Sequence, residues 1–348
     1  MESPFLSPEF ACDVDMVSKC ARVAVVHDGG DLVGFLPFEQ GLMRTARGIG
    51  GGMANCQAFV CSPCAEVSIG EVLRGAGVNL LSFHALLPTS NGAQWASIRP
   101  VDGLTIDLSH GFDDYLAATR RRSGHFIKEI ERKRRRLDRE HPGIVGFEFG
   151  TGAASAVVSL VRWKSAQYRR TGRPDPFARR PARELLERLV SRHESALTGC
   201  VSVLSVAGQP VAVDLSLRSA TALAGWFTGY DVAMSSWSPG GVATLDLIEG
   251  ASQAGVKTLE LGTGDERFKR RLANSSIELQ SGWIGRPSVG LVFNRAAHAP
   301  SEWAQRTILA RPRLREFTRQ ALVHYGTLRT GVARGRGAAG GEGAPASG

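Results

Sequence analysis

The sequence predicts a mixed α/β (α+β) fold in which one strand–helix unit is built twice. Three observations point there. Arg22–Gln40, RVAVVHDGGDLVGFLPFEQ, reads as two strands around the turn Asp28-Gly29-Gly30-Asp31. Cys200–Leu217, CVSVLSVAGQPVAVDLSL, repeats that pattern around Ala207-Gly208-Gln209-Pro210. Between them, Phe112–Gly143 is dense in charge and reads as one long helix, stopped by Pro142-Gly143.

Each element can be justified in turn. After the first hairpin come an apolar segment with a Gly-rich loop, GLMRTARGIGGG, and a helix near 66–75. Strands follow at Val78–Ala85 and Gly103–Leu108. The connecting helix carries a thin apolar stripe, Leu116, Ile127, Ile130 and Leu137, on an otherwise charged surface. Its bases are interleaved with acids, so it reads either as a solvated connector or as a surface for phosphates. The second half opens with a strand at Ile144–Phe149. Two amphipathic helices follow, Ala153–Arg169 and Pro181–Leu197, the latter with Leu185, Leu186, Leu189 and Val190 at helical spacing. After the second hairpin come a strand at Leu223–Thr228, a helix from about Gly241 to Ala254, a strand at Thr258–Leu261 and a last strand-like run, SIELQSGWIGR. The order matches the first half, as expected of a diverged repeat. The expected organisation is a degenerate unit at 1–111, a connecting helix at 112–143, a second unit at 144–286, a basic helical extension at 287–330 and a disordered tail at 331–348.

Composition narrows the function. The chain has 348 residues, 43% hydrophobic and 22% charged, enough for about two domains with buried cores. The net charge is +9, but residues 286–348 hold ten Arg and three Glu, so most of the excess lies outside the predicted core. That leaves peripheral association through the basic extension open. No apolar run is long enough to span a bilayer, and MESPFLSPEF has neither a basic nor a long apolar leader region, so a cytoplasmic protein is expected. Cys56, Cys61 and Cys64 have the spacing of an iron–sulfur site, but the next cysteine is Cys200. They are read as reduced structural thiols, and no metal is expected.

Several chemistries lack their marks. There is no GxxxxGK[ST] phosphate loop, no GxGxxG after a strand, no HExxH and no GxSxG elbow. What remains is Ser238-Pro239-Gly240-Gly241 at the start of a helix. Backbone N–H groups of Gly240, Gly241, Val242 and Ala243 could approach a pyrophosphate there, helped by the helix dipole. The same residues could equally form an ordinary helix start with Ser238 at the cap.

The order of elements sharpens the choice. Three antiparallel strands, a Gly-opened helix and another strand is the plan of the GNAT acyltransferase unit. The run from Gly229 to Leu272 resembles the GNAT-type acetyltransferases of the CelD/BcsL type, associated with bacterial cellulose and polysaccharide synthesis. The resemblance rests on Gly229-Tyr230-Asp231, Ser238-Pro239-Gly240, Glu260-Leu261-Gly262-Thr263-Gly264-Asp265-Glu266 and Phe268-Lys269. It covers about 112–285 well and the first half loosely. It is more distantly similar to the Fem-type peptidoglycan aminoacyl transferases, which share a Phe-Lys near this place. Two departures stand out: the leading Gln/Arg of the GNAT pyrophosphate motif is replaced, giving Ser238-x-x-Gly241-x-Ala243, and Glu260 stands where the family usually has Asp.

The resemblance implies two tandem GNAT-like units and acetyl-CoA or another acyl-CoA as co-substrate. Its pyrophosphate would lie on Ser238 and Gly240–Ala243, and its thioester where two neighbouring strands splay. An amine or hydroxyl of a small-molecule, saccharide or peptide acceptor would attack directly, which needs a base and stabilisation of the oxyanion. Glu260, Asp265 and Asp214 are the candidate bases. Asp214 either faces outward or, if buried, has a raised pKa. Lys269 is a candidate for binding an acidic acceptor or an oxyanion, or pairs with Asp265. Tyr230 is a candidate acid toward the leaving thiolate, or packs. Nucleic acid enters only under the Fem-type alternative, with aminoacyl-tRNA as donor and the basic helix as its footprint. A non-catalytic scaffold is the third reading.

Overall fold

The computed structural model describes residues 3–286, except 64, 66, 90–94, 152–153, 193–195 and 265. Asp265, Cys64 and the extension and tail expected at 287–348 therefore lie outside the described residues.

The first half opens with a helix not expected from the sequence, α1 (Pro8–Ser18). Ser7 accepts a hydrogen bond from the Phe10 N–H, Pro8 occupies the first turn with Glu9 beside it, and Lys19 ends the helix in a left-handed conformation. β1 (Ala21–Asp28) and β2 (Asp31–Gln40) form the expected hairpin. Gly29 and Gly30 supply the positive φ angles that its turn requires. β3 (Thr45–Gly48) and the short β4 (Val60–Cys61) both pair with β2. α2 (Ile69–Gly75) begins at a reciprocal capping box between Ser68 and Glu71. β5 (Leu80–Leu86) and the long β6 (Trp95–Asp107) follow.

α3 (Phe112–Glu140) is the predicted connecting helix, kinked at Ser123. It buries Tyr115, Ile127, Ile130 and Leu137. Four of its ten Lys and Arg residues pair with acids: Arg120 with Glu131, Arg132 with Glu129, Arg134 with Asp138 and Asp246, and Arg136 with Glu140.

The second half adds β7 (Val145–Glu148), α4 (Ala154–Thr171), α5 (Arg180–Val190), β8 (Thr198–Val206), β9 (Gln209–Arg218), β10 (Ala222–Tyr230), α6 (Pro239–Gln253), β11 (Thr258–Thr263), α7 (Arg267–Leu272) and β12 (Ser275–Gly285). The pleat sends alternate side chains to opposite faces. Val201, Val203, Val213, Leu215 and Phe227 pack with α4 and α5. Leu204, Val211 and Ala212 pack with Ile130 and Leu137 of α3 and with Val242 and Ala243 of α6.

Both halves share one mixed sheet, ordered β1-β2-β3-β5-β12-β6-β11-β10-β9-β8-β7. Its middle is interleaved. β12, the last strand, runs between β5 and β6 of the first half, while β6 also pairs with β11 of the second. The boundary expected at residue 111 is thus not a break in the sheet. β6 is much longer than the predicted Gly103–Leu108. Its N-terminal stretch, Trp95–Pro100, carries only a weak alternation of Ala96 and Ile98 with Ser97 and Arg99, and it is paired with β12 along its whole length.

The candidate active site

β10 and β11 are parallel neighbours joined by the α6 crossover, but they pair only over Ala222–Ala224 and Thr258–Glu260. Past that point β10 follows β9 and β11 follows β6. Each carries a register shift where it turns away, between Gly225 and Phe227 and between Glu260 and Gly262. Such shifts bend a strand and increase its twist. The two strands therefore diverge into a wedge, and α6 begins beside its mouth.

Local packing explains the residues at the start of α6. Ser238 adopts a left-handed conformation and its side chain makes no capping bond. A Cβ on Gly240 would lie 3.1 Å from Cδ1 of Tyr230, so glycine lets that ring lie against the helix start. A Cβ on Gly241 would stand 3.8 Å from Ile130 and 4.0 Å from Phe268, in ordinary contact. The preceding turn, Val232–Trp237, is pinned to α3. Lys133 Nζ donates to the Ser236 carbonyl at 2.6 Å, Trp237 Nε1 donates to Glu140 at 2.8 Å, and the Arg136 guanidinium lies over the Trp237 ring.

The helix begins two residues earlier than the sequence suggests, and this corrects the expected donor set. Val242 N–H already makes the first helical bond, to the Ser238 carbonyl at 3.1 Å, and Val242 and Ala243 are buried. Pro239 has no N–H. The Gly241 N–H is engaged as well, bonding the Ser238 carbonyl at 2.9 Å in a tighter turn, which leaves Gly240 as the residue of the expected set with no such bond among the described ones.

Two of the candidate carboxylates, Glu260 and Asp214, are buried. Glu260, 4% exposed, accepts a hydrogen bond from Ser3 Oγ at 3.0 Å. Burial pushes its carboxyl up to about 7, against a smaller opposing pull from Ser3. The Cys56 thiol is pushed up to about 12 by burial and by the negative charge of Glu260. Asp214 faces inward, not outward. Ser216 and Thr228 each donate a hydroxyl hydrogen bond to it at 2.5 Å. Burial raises its pKa, and the two hydroxyls oppose that shift.

Tyr230 is 38% exposed at the mouth of the wedge. Lys269 on α7 pairs with Glu266 at 3.4 Å. The structure thus gathers Tyr230, Gly240, Gly241 and Phe268 at the start of α6. Glu260 and Asp214 sit in separate buried networks.

Sequence reasoning missed several neighbours. Lys164 packs against Gly229, where a Cβ would lie 3.5 Å from Lys164 Cγ. Its ammonium lies 5.3 Å from the Tyr168 ring centroid. Burial lowers its pKa, and Lys269 and Arg173 add to that. Asn55 and Ser3 reach this region from the first half, and no local pattern marks them. A separate apolar groove between α4 and α5, lined by Val157, Val158, Val161, Leu186 and Val190, contains none of the candidate residues. Among the described residues, no cluster of three His, Cys, Asp or Glu could hold a metal ion, and no helix is long and apolar enough to cross a membrane.

Residues 124–270 match the sequence profile of the Acetyltransferase (GNAT) domain. The matched GNAT stretch contains β7 to β11, α6 and most of α3 and α7. No curated protein matches the sequence. The C-terminal domain of an Agrobacterium fabrum protein assigned as a lysylphosphatidylglycerol synthetase is 13% identical, with a TM-score of 0.49 over 89% of this chain and 92% of that one. FemX is 8% identical, with a TM-score of 0.48 over 82% and 96%. A tandem GNAT protein of the clavulanic acid pathway is 14% identical, with a TM-score of 0.43 over 79% and 88%. Likenesses this low say nothing about activity.

Proposed function

We propose that residues 144–286 form an acyltransferase unit that moves an acetyl or other acyl group from acyl-CoA to an amine or hydroxyl. The observation that supports this most is the divergence of β10 and β11 beyond Ala224 and Glu260, with the start of α6 at its mouth. Acyl-CoA would supply the activated thioester. The N–H group of Gly240, with the positive end of the α6 dipole, would hold its pyrophosphate against the open backbone of Gly241, and Ser238 would border it. The residues fit such a group, because the Cβ position of Gly241 is open to ordinary contact distance.

The chain's own groups would then handle protons. Glu260 is the proposed base. A carboxyl that titrates about 7 is half ionised at neutral pH, where a base works best. Tyr230, at the wedge mouth, would protonate the leaving thiolate. Asp214 would hold Thr228 on the wall of the wedge. Lys269 would neutralise an acidic acceptor, and Asp265 is the alternative base. The first half would act as a companion whose β6 completes the sheet. A saccharide acceptor in polysaccharide synthesis is the finer form of this reading and rests on the resemblance of residues 229–269. An aminoacyl-tRNA donor would need α3 as an RNA footprint, but Arg134 and Arg136 are already engaged with acids.

The test is calorimetry with acetyl-CoA on the wild-type chain and on Gly241→Glu. Gly241 has room for a side chain, so the variant should fold, and its carboxylate would meet the pyrophosphate. Wild-type binding with loss in the variant is expected. No wild-type binding at millimolar ligand would overturn the acyl-CoA reading.

A further inference from the structure

The tip of the loop at 50–57 belongs to the first half but lies in the wedge of the second. Asn55 Nδ2 donates to the Gly225 carbonyl at 2.7 Å. The same carboxamide presses on the opposite strand, where a Cβ on Gly262 would lie 2.9 Å from Asn55 Cγ and Oδ1. Asn55 therefore spans the gap from β10 to β11 just past their last ladder pair. Its flanks are held. Trp226 Nε1 donates to the Met53 carbonyl at 2.7 Å, His84 Nε2 meets the Ala54 carbonyl at 2.8 Å, and Gln57 exchanges backbone bonds with Ala85 and Leu87. Asn55 itself is half-buried.

The chemistry of the bond points to what else could make it. In an unbroken sheet, the Gly225 carbonyl would accept from a neighbouring strand's amide N–H. Where the strands part, that acceptor faces the wedge, and a buried carbonyl left without a partner is costly. Asn55 satisfies it with a side-chain amide. The arm of coenzyme A also carries amide N–H groups and has strand-like reach, so it could take the same acceptor. A donor lacking an amide near this point could displace Asn55 only by leaving the carbonyl unpaired.

We propose that Asn55 is a specificity-determining residue for the donor. Its carboxamide occupies the Gly225 carbonyl in the free protein and yields it to an amide of the donor's arm on binding. This rests on the acyl-CoA reading above. Every donor that enters must displace Asn55, and one that replaces its hydrogen bond loses least.

Removing Asn55 should free both the space and the acceptor. Asn55→Ala is expected to bind acetyl-CoA about three- to tenfold more tightly, the scale of one exchanged hydrogen bond. The KM for acetyl-CoA should fall with kcat little changed. The control ligand is 3′-phosphoadenosine 5′-diphosphate, the nucleotide part of coenzyme A without its arm. Its affinity should be the same in both proteins. Asn55→Ser is uncharged and too short to span from β10 to β11, so it should also bind acetyl-CoA more tightly and serves if the alanine variant is poorly folded. Unchanged or weaker acetyl-CoA binding in a folded variant, with the nucleotide bound normally, would overturn the role of Asn55. Failure of the wild-type chain to bind either ligand would instead overturn the acyl-CoA reading itself.

Discussion

Replacing Glu260 with Gln should change how the stability of the chain depends on pH. Glu260 is a buried carboxyl that accepts a hydrogen bond from Ser3 Oγ. Its pKa rises from an ordinary 4.5 to about 7 in the folded protein. The folded state therefore holds this proton more tightly than the unfolded chain does. Below pH 4.5 both states are protonated and burial costs little. Between there and pH 7 the unfolded chain ionises first and stability falls. Above pH 7 the loss is complete. A difference of this size corresponds to about 3 kcal/mol, as an upper bound. Glutamine still accepts from Ser3 and carries no charge, so Glu260→Gln should remove that slope. Urea denaturation at several pH values from 4.5 to 8 would measure it. Asp214 and Asp246 titrate in both proteins, so the difference between the curves isolates Glu260. The variant should gain on the wild type by about 2 to 3 kcal/mol between the ends of that range. Parallel curves would mean that Glu260 is solvated or differently paired, and would also weaken its proposed role as a base.

Two further outcomes follow. If Glu260 is the base, kcat/KM for acetyl transfer should rise with an apparent pKa near 7, and a profile that keeps this limb in Glu260→Gln would assign the proton to another group. Asp13 is fully buried and is held by Arg188 Nε at 3.0 Å and Arg192 Nε at 2.7 Å. Asp13→Ala should therefore loosen α1 from α5 and cost roughly 1–3 kcal/mol in chemical denaturation, less than for a fully buried pair because both arginines can return to water. An unchanged denaturation midpoint would show that the apolar contacts of Phe5 and Phe10 hold this segment without the ion pairs.

Much of the fold was legible because its signals are local. The hairpins at Arg22–Gln40 and Cys200–Leu217 declare themselves by alternation and turn residues. Pro181 near a helix start and Leu185, Leu186 and Leu189 at helical spacing declare α5. Helix α1 is not expected from the sequence: Ser7-Pro8-Glu9 carries the start signals of a helix, but Phe10 and Val14 give it too short an apolar face to declare a period. The start of α6 was misplaced because Gly240-Gly241 suggests a turn, whereas Pro239 is well suited to the first helical turn. What was not legible is pairing. Nothing between Ser275 and Gly285 says that its partners are Leu80–Leu86 and Trp95–Thr105, because alternation marks a strand and its faces but not its neighbours. The same holds for the site. Glu260 is an ordinary strand residue until Ser3 and Cys56, far away in the chain, enclose it. Asn55 sits in a Gly-rich loop with no periodicity, and only the folded chain brings it to Gly225.

The interleaved middle of the sheet also bears on how the protein is made. Synthesis proceeds at about 5–20 residues per second, and domains generally fold as their residues emerge. Here the strand that lies between β5 and β6 is the last of the described ones to leave the ribosome. Until then β5 and β6 lack the neighbour between them, so the first half cannot finish before the second is complete. Contacts of such long sequence separation form slowly. Nascent chains of this protein should therefore remain open to chaperones or to misassociation until Gly285 has emerged. Cutting out the GNAT stretch alone would leave the edge of β11 that β6 covers without a partner.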